Sequence, residues 1–152
     1  MKGFSLIEVL IALGLLGLVS GALLSALLSL DLQRERIRER DLASAAAQAR
    51  LDLLRTDGDF RTLYARLKNS PNFDVPGLRG TQVGTVLVPP TLGENLNAPS
   101  FGLPQDLNLD GRTDSVDHAS DYRLLPVRIR IEWDGATGRR NYELFTVLHA
   151  RR

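Results

Sequence analysis

The chain contains no cysteine and only two histidines, His118 and His149. The first absence removes disulfides, thiolate metal sites, iron–sulfur clusters and cysteine nucleophiles together. The second leaves little material for a multi-histidine metal centre or a Ser-His-Asp triad. Proline is missing until Pro71, so no residue before it forces a helix to break. An excess of one charge is also missing. Nineteen Lys+Arg stand against eighteen Asp+Glu, for a net +1, which does not indicate a strongly basic nucleic-acid binder. No phosphate loop, nucleophile elbow or carboxylate pair placed for acid/base work is visible, so an enzyme is not expected. At 152 residues the chain has room for one domain, or for a small domain and an appendage. Its 43% hydrophobic and 24% charged residues are those of a chain that folds.

Charge is also scarce at the start. Between Lys2 and Asp31 the only charged residue is Glu8, and Phe4 to Leu30 is almost wholly apolar or small. As a helix this stretch is roughly 40 Å long, more than the ~30 Å of a bilayer core. A secretory signal peptide would have a shorter apolar core and a small-residue cleavage site behind it. The remaining residues are too few to wrap such a helix, so a membrane-embedded helix is expected. Gly17, Gly21, Ser25 and Ser29 fall four apart, a spacing that lets membrane helices approach closely.

Helical character continues from Asp31 to Arg55, which has no Gly or Pro. Leu42, Ala46, Ala49 and Leu53 mark its expected apolar face. Asp57-Gly58 is the stop. Asp59 is placed to cap a short second helix with Phe60, Leu63, Tyr64 and Leu67 inward, ended by Pro71. The stretch to Gly102 is rich in Pro, Gly and Asn and reads as loop, with one strand candidate at Val83 to Val88. Val127, Ile129, Ile131 and Trp133 alternate with Arg128, Arg130 and Glu132, the period of a half-buried strand. A turn at Asp134 to Gly138 leads to a partner strand, Asn141 to His149. The expected fold is α+β, a long N-terminal helix packed on a small C-terminal antiparallel sheet.

The opening Lys2-Gly3-Phe4-Ser5-Leu6-Ile7-Glu8 resembles the class III signal of type IV pilins and type II secretion pseudopilins. That resemblance implies cleavage between Gly3 and Phe4 by a prepilin peptidase, N-methylation of Phe4, and a filament-core helix. It divides the chain into a leader (1–3), a transmembrane half-helix (4–30) and an exported head (31–152). It further implies sibling pilin subunits, an inner-membrane assembly platform and a pilus or pseudopilus as the final location. A carboxylate inside an apolar span is costly and is a functional candidate by default. Glu8 would be neutralised by the Phe4 amine of a neighbouring subunit when subunits stack. The alternative is that it snorkels to the headgroups. The missing disulfide and helix-breaking proline point within the family to a minor pilin. A type II secretion minor pseudopilin is the alternative. A bitopic membrane protein with a calcium-dependent head is the rival from another class. Arg34, Arg36, Arg38 and Arg40 follow the span while only Lys2 precedes it, so a simple Lys/Arg count would put the C-terminus inside. The prepilin signal requires the opposite orientation.

Asp106 to Asp117 matches the spacing of an EF-hand loop. Asp106, Asn108, Asp110, Asp114 and Asp117 supply oxygens at loop positions 1, 3, 5, 9 and 12. Arg112 would supply its carbonyl, and Gly111 permits the sharp turn. Clustered acids of this kind suit a hard cation, so structural Ca2+ is expected, pinning the loop beside the sheet. The alternative is a solvated loop of Asx-turns. Arg79, Arg128, Arg130, Arg139, Arg140, Arg151 and Arg152 form a candidate DNA-contacting face, although charges on a strand's outer face are usually just solvated. His118 and His149 read as surface or sheet residues.

Overall fold

The computed structural model describes residues 5–79, 83–135 and 138–150. They fall into two compact units, one up to Arg38 and one from Glu39 onward.

The first unit is helical. α1 spans Leu6–Arg55, 50 residues without interruption, and before Arg38 all of its residues but the half-buried Glu35 are exposed. Leu6 is 79% and Leu18 72% accessible. This apolar, unburied stretch is long enough to cross a membrane.

The second unit holds the rest of α1, then α2 (Phe60–Asn69), β1 (Asn72–Phe73), β2 (Val83–Leu87), a 3-10 turn (Pro99–Phe101), β3 (Leu124–Gly135) and β4 (Gly138–His149). The strands form one antiparallel sheet in the order β1-β2-β3-β4. The expected alternation along β3 is realised: Val127, Ile129 and Ile131 are completely buried and Trp133 nearly so, while Arg128, Arg130 and Glu132 lie on the other face. Leu63, Tyr64 and Leu67 of α2 join this core, as their helical spacing predicts.

Two local features differ from expectation. The face of α1 that enters the core is Glu39, Ala43, Ala47, Leu51 and Leu54, not the row ending at Leu53. Leu53 is 63% exposed, while Leu42 and Ala46 flank the core. Asp59 occupies the N-cap position of α2 without bonding a helix N–H. Its carboxylate instead accepts the Thr62 hydroxyl at 2.6 Å. The first turn of α2 is held by Tyr122, whose hydroxyl donates to the Phe60 carbonyl and accepts from the Tyr64 N–H. The short strand β1 had no distinct sequence signal. It is fixed by a close approach: Phe73 pairs with Gly84, and a Cβ on Gly84 would collide with the Phe73 ring.

Candidate functional site

Two regions carry the expected chemistry, and each lies within one unit. In the first, Gly3 and Phe4 lie outside the described residues. Glu8 sits in the first turn of α1, exposed, with its backbone N–H on the Ser5 carbonyl at 3.0 Å. Among the described residues it is the only acid before Asp31, on an apolar surface that is exposed. Cβ atoms added at Gly14, Gly17 or Gly21 would meet nothing within 4 Å, so these positions are open to a neighbouring helix.

The second region is the acidic loop before β3. Its side-chain oxygens are turned onto its own backbone. Asp106 accepts the N–H groups of Leu109 at 2.6 Å and Gly111 at 2.8 Å. Asn108 accepts from Asp110, Asp110 from Arg112, and Asp114 from Val116, at 2.8 to 3.0 Å. Gly111 has the expected positive φ of 87°, and Leu109 also lies in the left-handed region at 63°.

The loop is anchored by residues that the motif does not contain. Glu94 is 1% exposed. Its Oε1 accepts the N–H groups of Leu107 at 2.7 Å and Asn108 at 3.1 Å, and its Oε2 that of Asp114 at 3.4 Å. His118 stands between acids. Nε2 is 3.2 Å from Asp114 Oδ1 and 3.8 Å from Glu94 Oε1, and Nδ1 is 3.0 Å from Asp121 Oδ1. Contrary to expectation His118 is buried. Burial alone would lower its pKa. The hydrogen bonds to Asp121 and Asp114, with the charges of Asp121 and Glu94, outweigh burial and raise it. Asp114 is held below the usual carboxylate range, most strongly by the Val116 N–H; burial opposes this, and the hydrogen bond and charge of His118 add smaller lowering effects.

Among the described residues, Glu94, Asp114 and His118 bring three ligand atoms within 4.8 Å of one another. Asn108 bridges Asp110 Oδ2 and His118 Nδ1 at 3.3 Å each. Asp117 Oδ1 accepts the N–H groups of Leu92 at 3.0 Å and Ala119 at 3.2 Å, clamping the loop to the preceding segment. Arg112 follows the turn and is exposed. Glu94 and His118 were not readable as site residues: eleven residues lie between Glu94 and Asp106, and no motif spans the gap.

The basic face is largely neutralised from within. Arg128 and Arg130 meet Glu143 at 3.4 and 2.7 Å, and Arg139 meets Glu132 at 2.8 Å. Arg79 and Arg140 also have partners, and Arg151 and Arg152 lie outside the described residues.

Residues 1–24 match the prokaryotic N-terminal methylation motif. No curated protein and no solved structure matches the chain. The chain therefore opens with a class III prepilin signal, at the head of an apolar helix long enough to span a membrane and followed by an α+β head of pilin-like architecture.

Proposed function

We propose that this chain is a minor type IV pilin, a non-enzymatic filament subunit matured between Gly3 and Phe4 and methylated on Phe4. The observation that carries the reading is the methylation motif joined to a helix whose first half is apolar and unburied. That surface needs lipid before assembly and sibling helices afterwards. Glu8 gives the transfer its specificity. Its carboxylate is paired by the freed Phe4 amine of the next subunit, an arrangement that repeats along a filament. The head lies outside the inner membrane, in the orientation that cytoplasmic cleavage demands and against the Lys/Arg count.

Co-expression with a prepilin peptidase tests this directly. The chain should lose three residues and gain a methyl group on its new terminus, both visible by intact mass. Glu8→Ala should be cleaved normally yet fail to enter filaments. Maturation that proceeds unchanged in Gly3→Ala would support a simple bitopic anchor instead. Neighbouring genes for a retraction ATPase would support a pilus, and those for a secretion pathway would support a type II pseudopilus.

We further propose that the acidic loop holds a structural Ca2+. The nearly buried Glu94 carboxylate lies within ligand reach of Asp114, and like charges so placed suit a hard cation. Asp106, Asn108, Asp110, Asp114, Asp117 and the Arg112 carbonyl are the oxygen donors, and Glu94 adds a buried one. The ion would supply charge neutralisation and loop rigidity. Ca2+ should raise the melting temperature of the detergent-solubilised full chain relative to chelator, and Asp110→Ala should abolish the difference. Equal melting temperatures with and without Ca2+ would retire the site.

A further inference from the structure

The sheet has two unequal edges. β1 has only two residues. β4 runs for 12 residues, and its register with β3 is unbroken from His149 to Gly138, without a bulge. The Ala150 N–H donates to the Arg123 carbonyl directly opposite at 2.9 Å. Hydrogen-bonded and non-bonded pairs alternate in an antiparallel ladder. Arg140, Tyr142, Leu144, Thr146 and Leu148 therefore direct their N–H and C=O groups at β3. Pro126, which has no N–H, faces Val147 at a non-bonded position, as this phase requires. The backbone groups of Arg139, Asn141, Glu143, Phe145, Val147 and His149 point away from the sheet. Among the described residues no backbone hydrogen bond reaches them.

Edge strands are ordinarily blunted by shortness, proline, lysine, bulges or charge. β4 has no proline or lysine, and no charged residue lies between Leu144 and Leu148. Phe145 is 46% exposed on its outer face. On the core face Tyr142 and Leu144 are only partly buried, whereas their β3 partners Ile131 and Ile129 are completely so. The core is thus incomplete on the side where a further strand would lie.

We propose that β4 pairs edge to edge with β4 of a second copy of this chain, antiparallel about a two-fold axis at Phe145. Such an axis allows only registers that keep odd residues opposite odd. Centring on Glu143 would set that acid against itself. Centring on Phe145 joins the two exposed rings, sets Glu143 against Val147 and Asn141 against His149, and opposes no like charges between Asn141 and His149. It uses the uncharged half of the strand. Because Glu143 and Arg139 already have partners within their own sheet, the pairing breaks no ion pair. The contact involves no residue of the apolar helix and does not depend on the filament reading.

The absence of native cysteine makes the test clean. In the full chain in detergent, Asn141→Cys/His149→Cys should be joined into a covalent dimer by a short bismaleimide. Opposed residues in the proposed register lie ~5.5 Å apart. Each single variant should remain monomeric, since its own position recurs about 27 Å away across the axis. The double variant should react at least about tenfold faster than either single, the gain of a high local concentration. Adding Val147→Pro removes one outward N–H without touching the β3 ladder. It should return cross-linking to the single-variant level while the emission of Trp133, the only tryptophan, confirms the fold. Cross-linking of the double variant no better than the singles would overturn the proposal, as would a cross-link that survives Val147→Pro. A Glu8→Ala version should retain the cross-link, and its loss there would show that copies meet through the helix instead.

Discussion

The indole Nε1 of Trp133 donates to Glu39 Oε2 at 3.2 Å, tying α1 to the end of β3 across 94 residues of sequence. Both side chains are buried, and Glu39 Oε1 has no hydrogen-bond partner among the described residues. An acid so enclosed tolerates its burial only through the bonds it retains. Trp133→Phe deletes the donor and shrinks the indole to a phenyl ring, so it should cost at least about 2 kcal/mol, the worth of a hydrogen bond to a charged group, with the cost of the cavity added. Glu39→Gln keeps an acceptor and discards the charge, and should change stability by less than about 1 kcal/mol. Urea unfolding of the detergent-solubilised chain, followed by circular dichroism, distinguishes the two. Equal losses would mean that the carboxylate's charge, rather than its acceptor oxygen, is what the site needs.

Tyr122 provides a second test of a polar group in the core. Its hydroxyl spans the Phe60 carbonyl and the Tyr64 N–H, completing the first turn of a helix that Asp59 leaves uncapped. Tyr122→Phe leaves that carbonyl and N–H without the bridging hydroxyl and should cost about 1–3 kcal/mol. Thr62→Ala, which removes only the exposed bond to Asp59, should cost less than about 0.5 kcal/mol. Amide exchange in α2 should quicken in the first variant and not in the second.

Gly84 gives a prediction with a built-in rescue. A methyl group there collides with the Phe73 ring across the β1–β2 pair, so Gly84→Ala should displace β1 and destabilise by about 1–3 kcal/mol, as overpacking does. Phe73→Ala removes the obstacle. The double variant should therefore be no less stable than Phe73→Ala alone, a strongly non-additive cycle. Additive losses would place the cost in the strand backbone rather than the contact.

The parts of the molecule readable from sequence are those whose signal is periodic or local. The run to Leu30 announces itself by what it lacks, and the β3 alternation from Val127 to Trp133 fixes both its faces. The acidic loop is visible because its spacing is contained in twelve consecutive residues. Its anchors are not. Glu94 and His118 gain their places only when the segment around Gly93 pairs with Asp117, a contact between two stretches without periodicity. The apolar face of α1 misleads for a related reason. Hydropathy favours Leu53, yet the face that enters the core carries Ala43 and Ala47, and it admits the acid Glu39 because Trp133 waits with a donor. Neither preference is a property of the helix sequence alone.

Asp57 and Arg66 contribute to the acid limb of stability for the head. Their side chains meet at 2.5 Å, and the Asp59 N–H also donates to Asp57 at 3.1 Å. The hydrogen bond from Arg66 is the largest influence on the Asp57 carboxyl and, with the Asp59 N–H, holds it below its ordinary value of 3.8. The folded state therefore binds its proton less readily than the unfolded chain does. The stabilisation is fully present above the unfolded pKa and is lost as pH falls through the lower folded one. Because Arg66 is half exposed, the pair is screened by solvent and is worth at most about 1 kcal/mol. Asp57→Asn should lower the melting temperature slightly at neutral pH, and the gap from the wild type should close as pH falls below 3.8 and through the lowered folded pKa, where the wild-type carboxyl also takes up its proton. A gap that stays constant from neutral to acid pH would assign the loss to the altered turn at Gly58, not to the ion pair.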